Sequence, residues 1–525
     1  MINLCIIWHM HQPFYEDLVE NKVLSPWVRL HSVKDYMDMV FILNEFPKIK
    51  LTFNLTPSLL EQIINLKDKK DRYLELSYKK PSELTPQERD FIIDNFFKCN
   101  LENMITPFPR YYELFQKKNK NQEFTDQDIL DLQVLFNLSW IDPTFRFSDP
   151  RLKEIVIKSR FFSEEDKIYV LEFHQKILNS ILDTYKRFLE SGQIEITTSP
   201  FYHPILPLIF SSKIALCTFP ECILPSEIFS YPEDVKAQIS SAVEFFKNIF
   251  GKRPEGVWPS EQAVSHQILD FFIEEKIKWI VTDEAILFKS IKEDKDRRKL
   301  YSYYFLETKK GKLNVFFRDK NLSDLISFVY YKLPPQEAVK NFREYLCRLK
   351  DSIKEECIVV IALDGENAWE YYKWDGYDFL RELYKTIQET DWIRTLTPSD
   401  CIKKIQPLDK IEELSAGSWI FGNFSKWIGT PTKNYAWELL GKARKILKTE
   451  SFPPQILEKA LKQIYILEGS DWFWWFDDTD GEFDELFRLH LRNFYHIIGK
   501  KVPEELKHPL KESLVKKDEK QTTHL

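Results

Sequence analysis

Glycine is scarce in this sequence, with 13 in 525 residues and none before Gly192. Glycine weakens helix interiors, so a first third without it is predicted to be helix-rich. Cysteine is thinner still: Cys5, Cys99, Cys217, Cys222, Cys347, Cys357 and Cys401 are odd in number, scattered, and form no CxxC pair. That argues against a disulfide framework or a zinc knuckle and fits a reducing compartment. No apolar run approaches the ~20 residues needed to cross a bilayer, and the opening residues lack the basic stretch and cleavage site of a secretory leader. A cytoplasmic protein without membrane contact is expected. Nor is there a large block of one charge sign, since 74 basic and 81 acidic residues leave a net charge of -7. Nucleic acid is therefore not an expected partner, and neutral ligands fit better.

What the chain does have is aromatic residues, 15% of the total. Some fill a core, but flat apolar faces with polar edges also suit a sugar ring. Short apolar runs at about 2–8, 50–54, 193–197, 254–258, 278–282, 312–317 and 357–363 read as buried strands separated by helical patterns. Parallel strands with crossover helices follow, and seven strands suggest a barrel close to the (β/α)8 plan. Polar residues fall just past the C-terminal ends of these runs, at His9 and His11, Asn54, His203, Glu261, Asp283, Arg318 and Asp364. Barrel enzymes carry their chemistry on that rim. Residues 65–190 read as a helical insertion within a catalytic region of 1–399, 400–505 as a Trp-rich helical domain completing the cleft, and 506–525 as a disordered tail.

Individual motifs carry the chemistry. In His9-Met10-His11-Gln12-Pro13, alternate strand residues share a face, so both histidines can enter one pocket as donors or metal ligands. The loop Thr197 to Pro204, stiffened by two prolines, holds His203. In Gly256-Val257-Trp258-Pro259-Ser260-Glu261 a carboxylate follows a strand-end tryptophan, placed to attack an anomeric carbon or to cap a following helix. In Asp364-Gly365-Glu366-Asn367-Ala368-Trp369-Glu370 an apolar strand ends in carboxylates. Asp364 there suits a general acid, since apolar neighbours hold a carboxyl's proton toward neutral pH, or an N-cap. Trp419 and Trp427 open a segment in which Trp427 reads as a platform at the cleft edge, while Trp472, Trp474 and Trp475 read as core.

Taken together and in order, these motifs resemble glycoside hydrolase family 57, with matches from about residue 1 to 499. The resemblance implies a distorted (β/α)7 TIM-like barrel with a C-terminal helical domain, acting on α-glucosidic bonds with retention. Glu261 then falls on the family nucleophile and Asp364 on its general acid/base, with no cofactor and no metal. His11, His203, Trp258, Arg318, Asp319 and Trp427 would border the cleaved glucose; His9, Trp369 and Trp419 complete the substrate-binding candidates. The expected ligand is an α-glucan or malto-oligosaccharide. The Glu468 to Trp475 segment looks most like the α-amylase and amylopullulanase-related members, which favours hydrolysis over 4-α-glucanotransfer by the same residues. One departure is Phe476-Asp477-Asp478-Thr479, where relatives tend to have Gly and then Asp-Asp-His. Other readings are a metal-dependent barrel enzyme of deacetylase or mannosidase type, built on His9, His11 and an Asp, and a non-catalytic glucan-binding protein.

Overall fold

The computed structural model describes residues 1–292, 296–366, 368–477 and 481–514. Apart from the two-residue antiparallel pair Glu16–Asp17 and Lys22–Val23, its strands are β1 (Ile2–Met10), β2 (Leu51–Leu55), β3 (Ile194–Thr197), β4 (Gly256–Val257), β5 (Trp279–Asp283), β6 (Tyr304–Thr308), β7 (Gly311–Arg318), β8 (Cys357–Asp364) and β9 (Ile393–Thr395). Every residue of β1 is buried, as its unbroken apolar run requires of a strand covered on both faces.

β8, β1, β2 and β3 pair in parallel in that order, and β4, β5 and β7 form a second parallel set. The two sets join at both edges. A parallel bridge links Thr198 to Val257, with the Trp258 amide donating to Thr198 O at 2.9 Å, and the Asp319 amide donates to Val360 O at 2.8 Å. The result is a closed ring of parallel strands at the apolar runs read from the sequence, a distorted (β/α)7 barrel. Besides that two-residue pair, two further short strands were not foreseen. β6 lies antiparallel outside β7, and β9 pairs with the first residues of β1.

Helices fill the stretch between β2 and β3, ending in the long helix Glu164–Glu190. Thr85, Thr125 and Ser163 each open a helix with a reciprocal capping box to the acidic residue three positions on. A fully buried ion pair, Arg29 Nε to Asp71 Oδ2 at 2.6 Å, ties this layer to the helix after β1. Beyond residue 430 the chain forms helices Pro431–Thr449, Pro454–Leu467, Ser470–Trp475 and Glu482–Ile497. Gly469 brings this layer against the barrel mouth, since a Cβ there would sit 2.9 Å from Tyr202 O. The expected tail does not start at 506: Leu506 and Leu510 are buried, because their apolar side chains close off the last helix, and the Leu510 amide donates to Asp484. Residues 515–525 lie outside the described residues.

Candidate active site

Glu261 follows β4 in a short turn, Ser260–Gln262, and has φ +56 with Gln262 at φ +51. Left-handed conformations at two successive side-chain-bearing residues are costly and persist only where surroundings over-determine them. Here Gln262 N donates to Pro259 O at 2.7 Å, Thr282 Oγ1 to Gln262 O at 2.8 Å and Trp419 N to Glu261 O at 3.3 Å. The bend aims the carboxyl inward. Trp419 Nε1 donates to Oε2 at 2.9 Å and Ser470 Oγ to Oε1 at 3.2 Å, so Glu261 caps no helix. Burial, then the charges of Asp364 and Asp471, push its pKa up to about 8.

Asp364 ends β8, in register with His9 of β1, which is in turn in register with Asn54 of β2. It caps no helix either, since Ala368 occupies the N-cap of the turn that follows. His9 Nδ1 donates to Asn54 Oδ1 at 2.6 Å, and its ring lies parallel to Trp258 at 4.6 Å. Burial, then the neighbouring His11, lowers its pKa to about 3, so the ring is neutral. His203, at φ +58, continues the column, with its ring 5.1 Å from His9 and 4.0 Å from His11. His11 Nε2 donates to Asp471 Oδ1 at 2.9 Å. Both histidines at the end of β1 thus reach one pocket, as strand alternation predicts.

A cleft of about 720 Å³ gathers these groups. Glu261, Asp364, His9, His11 and Trp419 line it, while Trp258 and His203 lie fully buried behind. Four predicted substrate contacts lie elsewhere. Arg318 pairs with Asp283 at 3.0 Å and Asp324 at 2.7 Å, and its guanidinium backs the Trp419 ring at 5.1 Å. Asp319 is fully buried as the N-cap of Lys320–Phe328, because both of its oxygens already hold donors. Trp369 is buried with its indole N–H on Gly365 O at 2.8 Å, and Trp427 is buried beside Trp474. Core packing claims both rings.

Other groups were missed or misjudged. Asp471 and Glu366 line the cleft, as do Trp474 and Trp475, which the sequence reading gave to the core; Trp472 is core as expected. Glu366 Oε1 accepts from the His11 amide at 3.1 Å and from Tyr36 Oη at 3.2 Å, and burial, then Asp364, holds its pKa well above the usual range. Asn367, Asp478 and Thr479, parts of the quoted motifs, lie outside the described residues.

A metal would find its donors at His11, His203 and Asp471, whose ligand atoms all lie within 4.8 Å of one another. His203, not His9, is the second histidine of that set. The two rings stack at 27°, however, so an ion in the plane of one stands off the plane of the other. The arrangement suits hydroxyl binding better.

The sequence matches the glycosyl hydrolase family 57 profile across residues 5–412. The chain belongs to that family. An α-amylase from Dictyoglomus thermophilum is 26% identical over 227 residues, 43% of this chain and 27% of the relative. A 4-α-glucanotransferase from Thermococcus litoralis is 25% identical over 243 residues, 45% of this chain and 32% of the relative. These two matches span about a third or less of each relative's length. Among solved structures, an α-amylase from Thermotoga maritima superposes with a TM-score of 0.60 at 17% identity, covering 97% of this chain and 96% of that one. A family 57 branching enzyme from Thermococcus kodakaraensis gives 0.62 at 15%, covering 97% and 94%. The family 57 fold therefore accounts for nearly the whole chain.

Proposed function

We propose that this family 57 protein is a retaining α-glucan-active glycoside hydrolase, with Glu261 as nucleophile and Asp364 as general acid/base. The observation that carries the reading is the pairing of these carboxyls in one aromatic-walled cleft, with Glu261 held by the indole of Trp419 and the hydroxyl of Ser470. Glu261 attacks C1 while Asp364 protonates the departing glycosidic oxygen. Asp364 then takes the proton of water, or of a second sugar hydroxyl, as that oxygen displaces Glu261. A pair that keeps one proton has the charge this sequence of steps needs, and the raised pKa of Glu261 supports such a pair. His9 and His11 hold the cleaved glucose, with the rings of Trp258 and His203 packed behind them, and His9, kept neutral by burial, does not compete for the proton. Residues 1–399 form the catalytic barrel with a helical insertion at about 65–190, and 400–505 complete the cleft. The protein acts in the cytoplasm, with no membrane or nucleic-acid partner; among the described residues no helix is long and apolar enough to cross a membrane.

4-α-Glucanotransfer is the second reading, favoured by the many aromatic residues lining the cleft, which would hold an acceptor sugar and shed water. Incubation with maltoheptaose separates the two. Hydrolysis yields new reducing ends; transfer yields longer and shorter products at a constant count. Either activity must vanish in Glu261→Ala and Asp364→Ala and persist with a chelator. Activity lost to the chelator and restored by zinc would replace this reading with a metal-dependent one. Tight oligosaccharide binding without turnover would leave a binding protein.

A further inference from the structure

The helix Trp27–His31 runs directly into a π-helical turn, Ser32–Tyr36. Such wide turns are rare and concentrate at functional sites. This one carries a chain of buried polar contacts that ends at the cleft. Lys34 Nζ lies 2.5 Å from Asp375 Oδ1 and donates to Asp35 Oδ1 at 2.8 Å, and His31 Nδ1 donates to Asp35 Oδ2 at 2.6 Å. Asp35 has no exposed side-chain surface, whereas His31 lines the cleft, as does Trp27 one turn earlier. The edge of the Trp140 ring meets the His31 ring at 5.3 Å and 82°, which fixes its plane. The next residue, Tyr36, donates to Glu366, two positions after Asp364.

We propose that His31 is a further substrate-binding residue of this cleft, accepting a sugar O–H at Nε2, and that Asp35 is the positioning residue that sets its ring. A carboxylate only accepts, so Nδ1 carries a proton, and in the neutral ring Nε2 then keeps its lone pair. Nothing among the described residues hydrogen-bonds Nε2. In the core His174 has both ring nitrogens used, Nδ1 by Arg29 and Nε2 by Asn137 O, each at 2.9 Å, whereas His31 lines the cleft with only Nδ1 engaged. The buried chain of Lys34, Asp35 and Asp375 keeps His31 from swinging, so a sugar meets a ring already in place and little rotamer entropy is lost on binding.

The inference rests on the glucan reading, and its test separates the two. The dissociation constant of maltoheptaose is measured by tryptophan fluorescence in the Glu261→Gln protein, with and without His31→Ala, alongside KM and kcat in the otherwise native enzyme. Loss of one hydrogen bond should raise Kd and KM about tenfold while kcat stays within about twofold. The buried Asp35 loses one donor but keeps Lys34, so the melting temperature should fall by only about 2–4 °C. Asp35→Asn, whose amide can donate to Nδ1 and so turn the ring to its other tautomer, should raise KM in the same direction. His31→Ala with unchanged Kd and KM overturns the inference, as does a joint fall of kcat and melting temperature that leaves KM in place. A protein that binds no glucan at all overturns the glucan reading first, and the role of His31 with it.

Discussion

The indole N–H of Trp419 donates to Oε2 of Glu261 at 2.9 Å, across 158 positions of sequence. A donor aimed at a carboxylate favours its charged form, and this bond opposes the burial that pushes the Glu261 pKa up. Trp419→Phe keeps the ring over Arg318 and removes only the donor. The acid limb of kcat/KM should then move to higher pH, with kcat falling about tenfold or more for a charge-assisted bond of about 1.5–3 kcal/mol. An unshifted limb would mean that Trp419 serves only as a sugar platform.

The same raised pKa makes a stability prediction. Glu261 ionises at its ordinary 4.5 in the unfolded chain but near 8 in the folded one, so the folded state binds the proton more tightly. Its contribution to stability is complete below 4.5 and is lost as pH rises through about 8. Glutamine cannot ionise. Glu261→Gln should therefore melt close to the native protein at pH 4.5 and above it at pH 8, by an amount on the order of a few kcal/mol for a well-buried carboxyl. Thermal scans at the two pH values, with the ordering reversed or the gap constant, would refute this.

Tryptophans of one motif region divide between cleft and core. Trp475 is 36% exposed and lines the cleft, whereas Trp427 has no exposed surface. Trp475→Ala should raise KM for long malto-oligosaccharides more than for short ones and leave the melting temperature nearly unchanged. Trp427→Ala should cost about 3–5 kcal/mol of stability, as large-to-small changes in a packed core do. Denaturant titration and chain-length kinetics on both variants test the division.

The barrel was legible because its strands are short apolar runs that stay apolar on both faces, and the polar residues ending them identify the rim. That logic located Glu261, Asp364, His9 and His11. It failed where a motif residue turns the other way: spacing shows that Trp369 or Trp427 belongs to a motif but not which side of the backbone the ring takes. β6 and β9 were missed since Tyr304 to Thr308 mixes apolar and polar residues and Ile393 to Thr395 is too short for a period to emerge. Ser470 and Asp471 stood inside a quoted segment, but nothing local showed what they touch, because they reach Glu261 and His11 only when the C-terminal helices fold over the barrel mouth.

Asp319 gives the sharpest contrast between a sugar contact and a structural carboxylate. Its Oδ1 accepts from the Leu322 amide at 3.0 Å and lies 3.3 Å from Arg297, while its Oδ2 accepts from Tyr301 at 3.1 Å and Tyr345 at 2.8 Å. No acceptor site is left for a ligand. Asp319→Ala would strip a helix cap and leave two tyrosine hydroxyls without this acceptor in partly buried surroundings. The cap alone is worth about 1 kcal/mol, and breaking a buried pair reaches about 3–5 kcal/mol. Arg297 keeps its bond to Glu284 at 2.7 Å, so the total should fall toward the lower end of that range. KM and kcat of the folded protein should stay near native. A sugar-binding Asp319 would behave in the opposite way, raising KM while the melting temperature held, and steady-state kinetics beside a thermal scan of this one variant decide between them.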